Sequence, residues 1–296
     1  MALLSQLSAI VLPVFLCAAI GFFWTRSGRA LDSDLVATLV YKISVPCLII
    51  ATFAKVELTP EAVGTLGLAS ITVLAAGGVI GAIVLKIAKL PFPSYLPAMT
   101  FSLVGSMGLP VCLFAYGEEG LAHGLVFFTV TSIGTFTIGA AIAAGRMSLD
   151  KLIREPAIWA AVLAVGLLWT GWTLPEWLIN TTWLLGGIAI PLQLISLGGS
   201  LAQFRVGSLG RAVTLAVTKL AVGFALGVGV AELFGLTGVA RAILILQAAM
   251  PVAVSNYMFA LIHKREPVEV AGMVLISTAI TAVTLPLILA WLLTGG

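Results

Sequence analysis

Charge is scarce in this chain. Only 9% of its 296 residues are Asp, Glu, Lys or Arg, while 60% are hydrophobic and the mean hydropathy is +1.17. A soluble domain of this length cannot hide that much apolar surface, which leaves an all-α polytopic membrane protein. The net charge of +3 is small and spread over loops, so nothing suggests nucleic acid and no such partner is expected. Cysteine numbers three, and Cys17, Cys47 and Cys112 lie in apolar runs without metal-ligand spacing. They are expected as small core residues, with no metal and no cofactor implied.

The twelve acidic residues all fall in loops or near the ends of apolar runs. Proton pumps and many symporters carry a carboxylate at the bilayer midplane, and none is offered here. An enzyme embedded in the membrane would cluster His, Asp or Glu within its spans, and a channel more often shows rings of pore charge. Neither pattern is present. His123 and His263 sit at the ends of runs, where a lone histidine is expected to be solvated.

What the chain does have is ten apolar runs: 4–24, 33–53, 62–87, 94–116, 121–144, 156–172, 182–204, 209–234, 239–262 and 267–293. The first lacks the basic start and short apolar core of a signal peptide and is expected to be a span. Eleven of the fifteen Lys and Arg residues lie in odd-numbered connections. Even-numbered connections and both termini hold only Lys55 and Arg241. The positive-inside rule then places both termini outside and the connection 146–155, with Arg146, Lys151 and Arg154, in the cytoplasm. Two lysines remain within runs. Lys42 lies about one turn before Pro46, and Lys219 lies about 12 Å into its span at the helical rise. Such a depth is costly for a charge and marks a pathway, unless the long stem carries the ammonium to an interface.

The ninth run contains Gln247-Ala248-Ala249-Met250-Pro251-Val252-Ala253-Val254-Ser255-Asn256-Tyr257. Pro251 has no N–H and its ring clashes with the preceding turn, so helical bonding should fail there. Freed backbone groups at bilayer depth must be buried in protein or face a water-filled cavity. The fourth run repeats the pattern at Gly105-Ser106-Met107-Gly108-Leu109-Pro110. Pro46 and Pro191 are 145 residues apart, Pro110 and Pro251 are 141 apart, and Thr131 and Thr137 precede Thr278 and Thr284 by 147. Five spans per unit make the second unit inverted, a 5+5 repeat of residues 1–145 and 156–296 around the connection 146–155. Paired broken helices in an inverted repeat place a solute site near the midplane.

Three segments carry a resemblance over nearly the whole chain. They are Ser106-Met107-Gly108-Leu109-Pro110 with Tyr116-Gly117-Glu118-Glu119, then Gly187-Ile188-Ala189-Ile190-Pro191-Leu192 with Leu197-Gly198-Gly199-Ser200-Leu201, and Gln247-Ala248-Ala249-Met250-Pro251 with Asn256. The chain resembles the auxin efflux carrier family, which includes the plant PIN-FORMED carriers and bacterial members associated with malonate and malate. The resemblance implies crossing broken helices four and nine, a scaffold with a mobile transport domain, and elevator-like alternating access. It implies a bacterial inner-membrane transporter of a small organic anion, with a coupling ion (proton or sodium) and a homodimer both left open. Where members often carry Ser-Asn ahead of the first crossover, this chain has Ser102-Leu103. The alternatives are a sodium-coupled symporter of the bile acid carrier type and, more remotely, a channel. The solute is expected where 105–110 faces 250–256, with Ser106, Gly108, Pro110, Gln193, Lys219, Pro251, Ser255 and Asn256 as the binding residues.

Overall fold

The computed structural model describes residues 2–29, 31–56, 58–145 and 156–294, so the connection 146–155 lies outside it. Among the described residues there are fourteen α-helices and no strand. In chain order they are α1 (Ala2–Arg26), α2 (Ser33–Leu39), α3 (Val45–Lys55), α4 (Pro60–Ile87), α5 (Phe92–Thr100), α6 (Leu109–Gly134) and α7 (Ala140–Ala144). After the connection come α8 (Pro156–Thr170), α9 (Glu176–Gly186), α10 (Ala189–Gln203), α11 (Leu209–Leu233), α12 (Gly238–Ala248), α13 (Val254–Ile262) and α14 (Pro267–Leu293). Seven helical stretches are long and apolar enough to cross a bilayer, and α8 and α12 are shorter apolar helices beside them.

Local chemistry sets many of the boundaries. Thr59 caps α4 by accepting the Ala62 N–H at 3.2 Å, with Pro60 and Glu61 in the first turn. That order suits a helix start, where a missing N–H costs nothing and a carboxylate meets the positive end of the dipole. Two further prolines widen the helix instead of ending it. Residues Val40–Ser44 and Val104–Gly108 form π-helical turns, each ending two residues before a proline, Pro46 and Pro110. A prolyl ring presses on the carbonyl four residues earlier, and a wider turn relieves that clash.

Gly117 reverses the chain within α6, at φ 64° and ψ −154°. Residues 112 and 124 would stand about 18 Å apart on a straight helix. Instead a Cβ on Gly124 would lie 3.2 Å from the sulfur of Cys112, and one on Gly120 would lie 2.4 Å from the Cys112 carbonyl oxygen. Only glycine accepts that φ without strain.

The helices pack as two groups. In one, α1 lies along α10 and α3 packs on α8 and α9. A Cβ on Gly198 would fall 1.7 Å from the Ala18 carbonyl oxygen, and one on Gly21 would fall 1.9 Å from that of Ile195. Such small residues let membrane helices touch backbone to backbone. In the other group α11 packs on α12, α14 and α4, α6 on α4 and α12, and α13 on α14. The groups meet where α10 touches the Val104–Gly108 turn and α1 touches α6 and α14. Trp169, Trp172, Trp177 and Trp183, all exposed, fall within one short stretch of chain around the α8–α9 connection, as rings at a headgroup boundary do.

Candidate functional site

Two helices of the second group are interrupted, and the interruptions touch. After α5 the chain is extended at Phe101 (φ −97°, ψ 123°) and re-enters helix at Val104. After α12 it leaves helix at Ala249 and resumes at Val254, with Pro251 in the gap. Ser102 and Val252 pair as a single antiparallel bridge. The Leu103 N–H donates to the Pro251 carbonyl at 2.7 Å, and the Ala253 N–H donates to the Phe101 carbonyl at 3.2 Å. The two bonds exchange under one constant offset of 150 residues, so the crossing is two-fold in its backbone. Each supplies a partner for a group that the broken helix left open.

Side chains complete the crossing. Asn256, 3% exposed, donates from Nδ2 to the Phe101 carbonyl at 3.1 Å. The buried Ser277 hydroxyl accepts the Val252 N–H at 3.1 Å. Lys219, 3% exposed, donates from Nζ to Ser102 Oγ at 2.7 Å and also to the Met250 carbonyl. It reaches them because Gly223 and Gly227 continue its face of α11. A Cβ on Gly223 would fall 2.3 Å from the Ala248 carbonyl oxygen, and one on Gly227 would fall 2.9 Å from Ile245 Cα.

Beside the bridge lies a cavity of about 60 Å³ (room for the centre of a water-sized group). Its hydroxyl wall is Ser102, Ser106, Thr131, Ser132, Thr135 and Ser255, with Tyr41, Phe128 and Phe136 as aromatic wall. The first turns after both breaks, 104–106 and 253–255, face it. The Val104 and Ala253 N–H groups are taken, but the remaining first-turn N–H groups and the helix-dipole ends favour negative charge. Thr131 Oγ1 is buried without a hydrogen-bond partner. The Ser102 hydroxyl accepts from Lys219, so its own proton is left for another acceptor. Larger hollows are lined mostly by aliphatic side chains, as with the 530 Å³ crevice between Ile71, Val79 and Ile138.

The expected residues divide. Ser106 and Ser255 line the cavity, and Pro251 lies in the second break with its carbonyl in the crossing. Lys219 lies behind Ser102, and Asn256 is bound into the crossing rather than facing the cavity. Gly108 and Pro110 do not line it. A Cβ on Gly108 would fall 2.1 Å from Gln247 Oε1, so Gly108 is a packing position. Pro110 sits in the first turn of α6, so the first break falls at 101–103 and not at 105–110. A proline near a helix start is compatible with helix, and the π-helical turn absorbs its ring. The residue that meets Pro251 is Leu103, not Pro110. Gln193, 4% exposed, leaves Nε2 and Oε1 without partners beside Gly105, where the helix groups meet.

Lys42 is exposed on its π-helical turn, whereas Lys219 is buried. His123 is buried at 6% exposure with Nδ1 2.9 Å from the Glu119 carbonyl oxygen, where a solvated ring was expected. The sequence did not single out Ser102, Thr131, Ser132 and Thr135 as site residues. The available signal was the i, i+1, i+4 spacing of the three hydroxyls on α6 and its continuation.

A family model described as membrane transport protein matches residues 141–289. An uncharacterized transporter of Methanothermobacter thermautotrophicus is 26% identical over 190 residues, 62% of each chain. One of Methanocaldococcus jannaschii is 24% identical over 195 residues, 62% of this chain and 63% of its own. The matches thus span about three fifths of these relatives' length.

Proposed function

The chain belongs to the membrane transport protein family, that of the auxin efflux carriers, and from that premise we propose a secondary transporter of a small organic anion. The observation that carries the anion is the hydroxyl-lined cavity at the N-terminal ends of two interrupted helices. A carboxylate there would accept from Ser102, Ser106, Thr131 and Ser255 while both dipole ends and Lys219 offset its charge. The cavity offers several times the roughly 10–15 Å³ that one water needs on this measure, which suits a small head group. Asn256 then holds the crossing, and Gln193 borders the site from the other helix group.

Taking the Gly117 reversal as a connection and joining the helices on either side of each break gives ten spans in two inverted halves, supported by the 150-residue symmetry of the crossing. The group of α1, α3, α8, α9 and α10 is the scaffold, and the group holding the crossing is the moving domain. The membrane is a bacterial inner membrane, with both termini outside.

The test is thermal stability of purified protein against a panel of carboxylic acids, neutral isosteres and amines. A ligand at about 100 times its dissociation constant adds about 2.7 kcal/mol. Stabilisation by acids alone, lost in Ser106→Ala and Ser255→Ala, is the expected result. Equal stabilisation by amines, or none by any acid, would overturn the anion assignment.

A further inference from the structure

We infer that the ammonium of Lys219 is a tethered cation, filling an oxygen-lined position at the crossing that would otherwise take a monovalent metal ion. Both of its partners are oxygens, the Met250 carbonyl and the Ser102 hydroxyl. They are the kind of ligand, freed backbone carbonyl plus hydroxyl, from which interrupted membrane helices build sodium sites. The Met250 carbonyl is free because the chain leaves helix before Pro251 and starts again only at Val254.

The surroundings present the ammonium with the negative ends of dipoles. Lys219 meets the C-terminal end of α12, where the helix dipole is negative. Among the described residues no carboxylate lies within ion-pair distance of Nζ, so the charge is compensated by backbone and hydroxyl dipoles. Gly223 and Gly227 hold α11 against α12 with a closeness that any side chain would prevent. An inorganic cation entering here would have to displace an ammonium that cannot diffuse away and would remain a few ångströms off as a buried like charge. The crossing therefore assembles without sodium, whatever solute the carrier moves.

The experiment compares melting temperatures in sodium chloride and in choline chloride at equal ionic strength, using wild type, Lys219→Ala and Lys219→Met. Wild type should melt identically in both salts. Lys219→Ala should melt roughly 5 °C lower in choline and regain most of that loss with sodium, along a saturable titration. Lys219→Met, whose stem keeps the space filled, should melt low in both. If Lys219→Ala folds only when produced in sodium, that supports the inference equally. Sodium stabilisation of wild type, a Lys219→Ala loss blind to sodium, or no folded Lys219→Ala in either salt would overturn it. The readout requires no solute, so a failed anion screen leaves it intact.

Discussion

Leu103 donates its backbone N–H to the carbonyl oxygen of Pro251 at 2.7 Å, tying the two interrupted helices together. The bond answers the problem that Pro251 creates. A helix broken in an apolar medium exposes donors and acceptors, and the other broken helix is their partner. The crossing is thus both a structural necessity and the place where polar groups gather.

Asn256 is a strut of that crossing. Asn256→Ala removes the donor at 3.1 Å from the Phe101 carbonyl. The Phe101 carbonyl keeps the Ala253 N–H, so stability should fall by about 0.5–1.5 kcal/mol, the net worth of one hydrogen bond, while the folded fraction keeps its solute affinity. Melting and binding measured on one sample check this. A tenfold affinity loss at unchanged melting temperature would make Asn256 a ligand instead.

Glycines on α11 should differ sharply by position. Gly223→Ala drives a Cβ to 2.3 Å from the Ala248 carbonyl oxygen, whereas one on Gly229 meets nothing within 4 Å. Gly223→Ala should destabilise by about 1–3 kcal/mol, as overpacking does. Gly229→Ala should be neutral or slightly stabilising, because alanine is the better helix former. Denaturation of both variants in the same detergent is the measurement.

Gln193 carries two unpartnered buried polar atoms. Gln193→Leu, similar in size and without them, should raise stability by about 1 kcal/mol. If Gln193 borders the moving interface and the solute, the same change should slow uptake into proteoliposomes. Lower stability would mean that the amide has a partner in the membrane.

Tyr95 joins α5 to α11 and to the cap residue of α14. Its hydroxyl donates to Glu266 at 2.6 Å and accepts from Arg211 at 3.1 Å. Tyr95→Phe should cost about 1–2 kcal/mol, since both partners are charged. Arg211 and Glu269 stand 3.7 Å apart with the arginine side chain 41% exposed, so Glu269→Gln should lose little of that pair's energy in salt. Melting curves at low and high ionic strength separate the two.

Orientation is checked by single cysteines in a chain freed of Cys17, Cys47 and Cys112. Thr294→Cys should react with an impermeant thiol reagent in intact cells, and Lys264→Cys only after permeabilisation. The reverse pattern would invert the topology.

Composition alone determined that the chain lives in a bilayer, because the apolar fraction has no other place to go. Helix limits were also local matters. The end at Ile262, the start at Pro267 and the whole of 267–293 follow from apolar runs bounded by charge and proline. That two helices would be interrupted was legible, since the missing N–H of a proline is a property of one residue. Where the first interruption falls was not. Phe101 has no local reason to be extended, nor Ser102 and Leu103 to stay out of helix; the three are held by pairing with Pro251, Val252 and Ala253 in the other interruption. The two lysines make the same point. Lys42 and Lys219 lie in equally apolar sequence, yet one is exposed and the other buried. Only the close seat of Gly223 and Gly227 against α12 carries Lys219 to its two oxygens, and that contact exists in no segment taken alone.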